Sequence, residues 1–218
     1  MILSKDAPNL KLLSEDDRKL SLHFMLLTRP PGDLWLFGYG SLIWNPAIRT
    51  TERRAASIEG WHRKFCHSIS AGRGSPDVPG LVLGLEKGGT CTGTALKIDE
   101  SDIATELPLL WRREMAYDAY IPRWIDVTDT SGRRFGRAIA FTINPASAHY
   151  AGNLSEDAIV QTLATASGGL GSSAEYLFKT LDSLRSHGIP DGALEMLAHR
   201  VESVQTSRCK PRAAEVSY

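Results

Sequence analysis

The sequence predicts an α+β fold, a mixed, largely antiparallel sheet or small barrel followed by C-terminal helices. Three observations carry the prediction. Between residues 34 and 143 the chain passes through short strand-type runs separated by Gly- and Asp-containing turns. After Pro145 the apolar residues fall at helical spacing instead. The two kinds of segment come in blocks and do not alternate, which disfavours a parallel sheet with crossover helices.

The elements follow in order. Residues 14–27 open on Ser14 with Asp17 three positions later, a capping-box pattern, and then place Leu20, Phe24 and Leu27 at helical spacing. A short amphipathic helix is expected there, broken by Pro30, Pro31 and Gly32. Leu34-Trp35-Leu36-Phe37 is a strand-type run that leads into a Gly38-Tyr39-Gly40-Ser41 turn. Further strand-type runs lie at 58–65, 81–85, 92–98, 120–127 and 137–143. Lys87-Gly88-Gly89 and Asp129-Thr130-Ser131-Gly132 fall between neighbouring runs and predict hairpin turns, hence antiparallel pairing. A helix is expected over 102–111, with Ile103, Leu107 and Leu110 on one face. Three more are expected over 155–166, 173–187 and 191–204, the second stopped by Gly188 and Pro190.

Composition excludes several function classes. Lys plus Arg and Asp plus Glu number 25 each in 218 residues, so no global positive field gathers nucleic acid or anionic lipid. No apolar run approaches the roughly 20 residues that span a bilayer. The apolar 24–27 segment is preceded by Glu15, Asp16, Asp17, Arg18 and Lys19, unlike a signal peptide. A cytoplasmic protein is expected, with neither nucleic acid nor membrane as partner. Cys66, Cys91 and Cys209 are odd in number and far apart, as suits reduced thiols. Asn153-Leu154-Ser155 fits a glycosylation acceptor that has no use without secretion. The histidines show no metal-ligand spacing, so no metal is assigned.

Several motifs fail on their own templates. Gly38-Tyr39-Gly40 lacks the third glycine of a dinucleotide fingerprint, since position 43 is Ile43, and Pro46 interrupts the helix that should follow. Gly169 to Ala174 fits the relaxed fingerprint, but a helical segment precedes it, and it reads as a helix-to-helix loop. Ser41 is flanked at two residues by Tyr39 and Ile43, where a nucleophile elbow needs glycine. Cys66 and His67 are adjacent on a strand and are expected to point one in and one out.

Four stretches in order carry a resemblance. They are Phe37-Gly38-Tyr39-Gly40-Ser41-Leu42-Ile43-Trp44-Asn45-Pro46, Arg73-Gly74-Ser75-Pro76-Asp77-Val78-Pro79-Gly80, Trp111-Arg112-Arg113-Glu114-Met115, and Ala164 to Gly169 together with Glu175-Tyr176-Leu177. Together they resemble the ChaC-type glutathione-specific γ-glutamylcyclotransferases from about residue 34 to about residue 201. Gly72 departs from the pattern, where many members have histidine. The resemblance implies a γ-glutamylcyclotransferase-like catalytic domain over 34–205, flanked by an N-terminal helical extension over 1–33 and a tail over 206–218. It implies a lyase that cleaves its small-molecule substrate glutathione to 5-oxoproline and cysteinylglycine, with no cofactor, and it leaves the oligomeric state open. A cyclotransferase for other γ-glutamyl amines or amino acids is one alternative. A non-catalytic γ-glutamyl-ligand sensor linked to cation transport is another.

The resemblance also implies roles. Glu114, the sole carboxylate of its segment, matches the family's essential acid/base, and Trp111, Met115 and Tyr117 offer apolar surroundings that raise a carboxyl pKa. On spacing alone it reads as a glutamate at a helix end paired with Arg112 or Arg113. Tyr39, Gly40, Ser41 and Leu42 match the loop that holds the γ-glutamyl moiety, where backbone N–H groups can gather into an anion-binding concavity. Gly38 and Gly40 are expected to take φ values closed to other residues and to keep side chains out of the pocket. Arg73 is a candidate fork for a substrate carboxylate, or else a solvated loop arginine. Tyr176 either closes the pocket with its hydroxyl or is a buried helix tyrosine.

Overall fold

In the structure, a computed structural model that describes residues 12–209, every residue of β1 (Leu34–Gly38) is buried. Alternate side chains of a strand point to opposite faces, and here both faces are covered. Trp35 and Phe37 enter one apolar cluster, and Leu34 and Leu36 a second. The first cluster fills the space between the sheet and the C-terminal helices, and the second packs the sheet against the N-terminal helices.

The sheet closes into a five-stranded barrel in the order β1, β3 (Gly80–Ile98), β2 (Glu52–Ile69), β4 (Tyr120–Thr128), β5 (Arg134–Ile143). The neighbours in that order pair antiparallel, and β5 closes on β1 in parallel through Trp35 opposite Ala138 and Leu36 opposite Ile139. The expected α+β class with a largely antiparallel small barrel and C-terminal helices is what forms, and 129–132 is the predicted hairpin between β4 and β5.

The second predicted hairpin does not form. The chain runs straight through Lys87-Gly88-Gly89, and 81–85 and 92–98 belong to one strand, β3, paired with β2 along nearly its whole length. Glu59 faces Thr90 and Trp61 faces Lys87, so Gly60 stands opposite Gly88 and Gly89. All three have positive φ, at 81°, 106° and 68°. They form a bulge that bends a long ribbon so that it can wrap the barrel, where a tight turn had been expected. The actual β2 to β3 connection is residues 70–79, which carry Arg73.

The helix α1 (Glu15–Leu27) has the predicted capping box, with Ser14 and Asp17 bonded reciprocally. Its packing face is not the predicted stripe, because Leu20, Phe24 and Leu27 are 68%, 64% and 70% exposed. Met25 is buried instead, the Trp111 indole donates to Ser21 Oγ at 3.2 Å, and the Trp124 indole donates to the Met25 carbonyl at 3.1 Å. Two indole N–H groups needing partners decide which side of α1 meets the barrel.

The remaining helices are α2 (Ser41–Trp44), α3 (Ile103–Glu114), α4 (Glu156–Thr165), α5 (Ser173–Ser186) and α6 (Gly192–Cys209). The α3 helix runs one turn further than the expected 102–111 and takes Glu114 into its last position. The 167–172 loop holds a two-residue hairpin, β6 (Ser167–Gly168) and β7 (Gly171–Ser172), between α4 and α5. Expectations for residues 1–11 and 210–218 lie outside the described residues.

Candidate active site

Glu114 is placed by the apolar face of α3. Ile103, Leu107 and Leu110 are buried at i, i+4 and i+7, and Glu114 at i+11 continues the same stripe into the protein. The carboxyl therefore ends under the barrel mouth, at the helix C-terminus, an end that the helix dipole makes unfavourable for a negative charge. Burial pushes its pKa above the ordinary 4.5, and the Arg113 guanidinium opposes that rise. Arg113 Nε lies 3.0 Å from Glu114 Oε1, yet that oxygen, although buried, accepts no hydrogen bond.

Glu114 shares one cavity with Tyr39, Gly40, Ser41, Leu42, Leu83, Tyr120, Phe141 and Tyr176. The turn after β1 and six elements, α2, β3, α3, β4, β5 and α5, converge to build it. The turn after β1 supplies Tyr39 and Gly40, and the one-turn α2 supplies Ser41 and Leu42. This turn is clamped from both sides: Tyr39 and Ile43 belong to one apolar cluster and Leu42 to the other. Arg113 Nη2 donates to Ser41 Oγ at 2.7 Å and Nη1 donates to the Asn45 carbonyl, fastening α2 to the end of α3.

Neither Gly38 nor Gly40 has positive φ, so the conformational reason expected for them does not apply. The steric reason does. A Cβ on Gly40 would lie 2.5 Å from the Tyr176 hydroxyl, too close for a non-bonded carbon and oxygen, so one of them would have to shift. Tyr176 comes from the first turn of α5, with its ring edge-on to Trp44 and Phe65 at 6.0 and 6.1 Å. Burial raises its pKa to about 12, while backbone N–H groups of Ser41 and Leu83 facing its hydroxyl pull the other way. The enclosed space is about 20 Å³. That is room for about one water, so a larger ligand enters only as the lining side chains move.

Of the seven residues singled out in the sequence, the structure brings six together: Glu114, Tyr39, Gly40, Ser41, Leu42 and Tyr176. Arg73 stands apart. It is buried, not solvated, and its Nη1 donates to Glu175 Oε2 at 2.8 Å, with the guanidinium 5.9 Å from the Trp44 ring centroid. Glu175 also pairs with Lys179 at 2.6 Å.

Sequence reasoning missed Arg113, Tyr120, Leu83 and Phe141. Tyr120 opens β4 six residues after Glu114, and its hydroxyl donates to the Leu83 carbonyl at 3.0 Å. Tyr39 likewise donates to the Phe141 carbonyl at 2.8 Å. The partners are remote in sequence, and only barrel closure reveals them. Cys66 and His67 do not split into one inward and one outward residue. Both are buried, because the rings of Tyr117, Tyr120 and His149 cover His67. Two other carboxylates near Glu114 in sequence are already engaged: Arg49 binds Glu106 through Nε at 2.8 Å, and Asp118 accepts from Ser147 at 3.0 Å.

Comparison with known proteins identifies the family and the fold. The family model described as ChaC-like protein matches residues 34–204, the barrel and the C-terminal helices together. The chain is 40% identical over 194 residues to the glutathione-specific γ-glutamylcyclotransferase of Escherichia coli K12, covering 88% of this chain and 84% of that protein. It is 31% identical over 180 residues to the human glutathione-specific γ-glutamylcyclotransferase 1, covering 81% and 80%. A crystal structure of a yeast γ-glutamyl cyclotransferase specific to glutathione superposes with a TM-score of 0.74 at 21% identity, covering 83% of this chain and all of that one, so the fold is shared. A carboxylate at the mouth of a five-stranded barrel, facing a Tyr-Gly-Ser-Leu turn, thus sits in a chain that belongs to the ChaC-like protein family.

Proposed function

We propose that this protein is a glutathione-specific γ-glutamylcyclotransferase, a lyase that forms 5-oxoproline and cysteinylglycine, with Glu114 as its general acid/base. The observation that carries the reading is a carboxylate whose buried Oε1 accepts no hydrogen bond and lies 3.0 Å from the Arg113 guanidinium, in a cavity otherwise lined by hydroxyls, backbone and apolar groups.

The chemistry needs few parts. The substrate's α-ammonium gives a proton to Glu114, and the freed amine attacks the γ-carbonyl carbon, closing a five-membered ring. The carbonyl oxygen takes up negative charge, and its stabilisation is assigned to backbone N–H groups of the turn at Gly40 and Ser41. The bond to the cysteine nitrogen then breaks as Glu114 returns its proton to that nitrogen, and the second proton, which the ring nitrogen must shed to become a neutral lactam, follows by the same carboxylate, leaving cysteinylglycine with an α-ammonium. Atoms and charges balance without water or cofactor, because the nucleophile is the substrate's own amine. A carboxyl pKa lifted by burial serves both proton transfers better than an ordinary one. Arg73, held by Glu175 beside Tyr176, is assigned to the outer part of the substrate, where a carboxylate competes with Glu175 for the guanidinium.

The test is incubation of the purified protein with glutathione, with detection of 5-oxoproline and cysteinylglycine in equal amounts. Oxidised glutathione and N-acetylglutathione should react poorly, the latter because its amine is blocked. Turnover of N-acetylglutathione near the rate of glutathione would show that water or a protein nucleophile breaks the bond. Faster turnover of other γ-glutamyl amino acids would move the protein to the broader cyclotransferase class, and binding without product would make it a sensor.

A further inference from the structure

His67 is used by none of the steps above, yet it is 3% exposed, and its Nδ1 lies 2.9 Å from the hydroxyl of Tyr120, which lines the Glu114 cavity. The rings packed on it are Tyr117, Tyr120 and His149, at 5.8, 5.0 and 6.2 Å between centroids. Its Nε2 is buried and has no partner.

The hydrogen-bond inventory fixes the tautomer. A tyrosine hydroxyl has one proton to give and two positions to accept. Tyr120 gives its proton to the Leu83 carbonyl at 3.0 Å. His67 Nδ1 must then be the donor, which leaves Nε2 as a bare lone pair, cheaper to bury unmatched than an N–H. A Tyr120 proton turned to His67 Nδ1 instead would take it from the Leu83 carbonyl and place an unmatched N–H at the buried Nε2, the costlier arrangement. Burial and the neighbouring His149 hold the His67 pKa at about 3, so the ring is neutral and one of its two nitrogens carries no proton.

We infer that His67 is a positioning residue for the proposed cyclisation: its Nδ1–H fixes the Tyr120 hydroxyl so that the remaining lone pair of that oxygen faces the cavity as an acceptor for the substrate's α-ammonium. The Tyr120 oxygen then has no proton to offer the developing oxyanion. It belongs with Glu114 on the amine side of the reaction, orienting the nitrogen while Glu114 takes its proton. The oxyanion side is left to the backbone of the 40–41 turn. This inference rests on the cyclotransferase reading, and a wild-type protein that makes no 5-oxoproline defeats that reading before this one is reached.

The experiment is a double-mutant cycle on kcat and KM for glutathione with His67→Leu, Tyr120→Phe and the double variant, alongside His67→Asn and His67→Gln. Asparagine places its amide nitrogen where Nδ1 stands, and glutamine places it nearer Nε2. Tyr120→Phe and His67→Leu should each lower kcat on the order of 10-fold, and the double variant should be no slower than Tyr120→Phe alone, since contacts acting through one another do not add. His67→Asn should keep kcat within about 3-fold of wild type and His67→Gln should not. Losses that multiply in the double variant, or equal rates for His67→Asn and His67→Gln, would overturn the inference. If His67→Leu fails to fold, the comparison of asparagine with glutamine decides by itself.

Discussion

Arg113 Nε approaches Glu114 Oε1 to 3.0 Å without that oxygen accepting a hydrogen bond, while the other two guanidinium nitrogens donate to Ser41 Oγ and the Asn45 carbonyl. Arg113 therefore meets the carboxylate as an ion pair through Nε, and its Nη donors hold the turn opposite. Glu114 Oε1 keeps its hydrogen-bonding capacity unfilled beside that cation, and the pKa of the carboxyl is set by burial against it.

Glu114→Gln should lower kcat by about 10² to 10⁴, toward the upper end because one residue serves both proton transfers, with substrate binding affected far less. The amide keeps the volume and can hydrogen-bond, but it neither takes nor returns a proton. Steady-state kinetics and calorimetric binding of glutathione check this. Rates within a few-fold of wild type in a folded variant would remove Glu114 from the acid/base role.

The same substitution should stabilise the fold at neutral pH. A group whose folded-state pKa is raised contributes stability that is present below its unfolded pKa and lost as pH rises through the folded-state value. For Glu114 that loss lies above pH 4.5, the ordinary value. Glutamine carries no charge at any pH, so its thermal midpoint should exceed wild type at pH 7, and the two should converge below about pH 4.5. Equal midpoints at pH 7 would show that the carboxylate carries no burial penalty.

Arg113→Met should move the acid limb of the pH profile of kcat/KM upward. The cation lowers the Glu114 pKa against burial, so its removal lets the carboxyl protonate at higher pH and inactivates it there. Ser41→Ala leaves both the cation and the Ser41 backbone N–H in place and should cost only a few-fold in rate, with the limb unmoved. A limb that shifts in Ser41→Ala as far as in Arg113→Met would assign the effect to the turn and not to the charge.

Gly40→Ala should abolish turnover in a folded protein, because the added Cβ would stand 2.5 Å from the Tyr176 hydroxyl. Combining it with Tyr176→Phe removes the clashing oxygen and should recover part of the loss. A double variant no better than Gly40→Ala would mean that the methyl blocks substrate and not Tyr176.

Legibility in the sequence followed the physics of each feature. The helices were readable because their apolar residues repeat locally, and the Ser14/Asp17 cap needs only four residues. The bulge at Gly60, Gly88 and Gly89 was not, since Lys87-Gly88-Gly89 is compatible with a turn until the partner strand is known. For α1 the stripe was visible but its direction was not, because indole N–H groups of Trp111 and Trp124, about a hundred residues away, choose the side. In the site, Glu114 lay on the Ile103, Leu107, Leu110 stripe, a sign of inward orientation that extending α3 by one turn makes readable. Tyr120 and His67 carried no such sign, as their meeting depends on β2 and β4 lying beside each other in the closed barrel.

Both cysteines whose side chains are described, Cys66 and Cys91, are buried, and burial pushes the first thiol to about 12 and raises the second. The thiolate is the form that attacks disulfides. In a solution rich in low-molecular-weight thiols and their disulfides, neither of these two residues is placed to form a mixed disulfide. The sulfur chemistry around the protein can swing between oxidised and reduced without writing itself onto these two side chains.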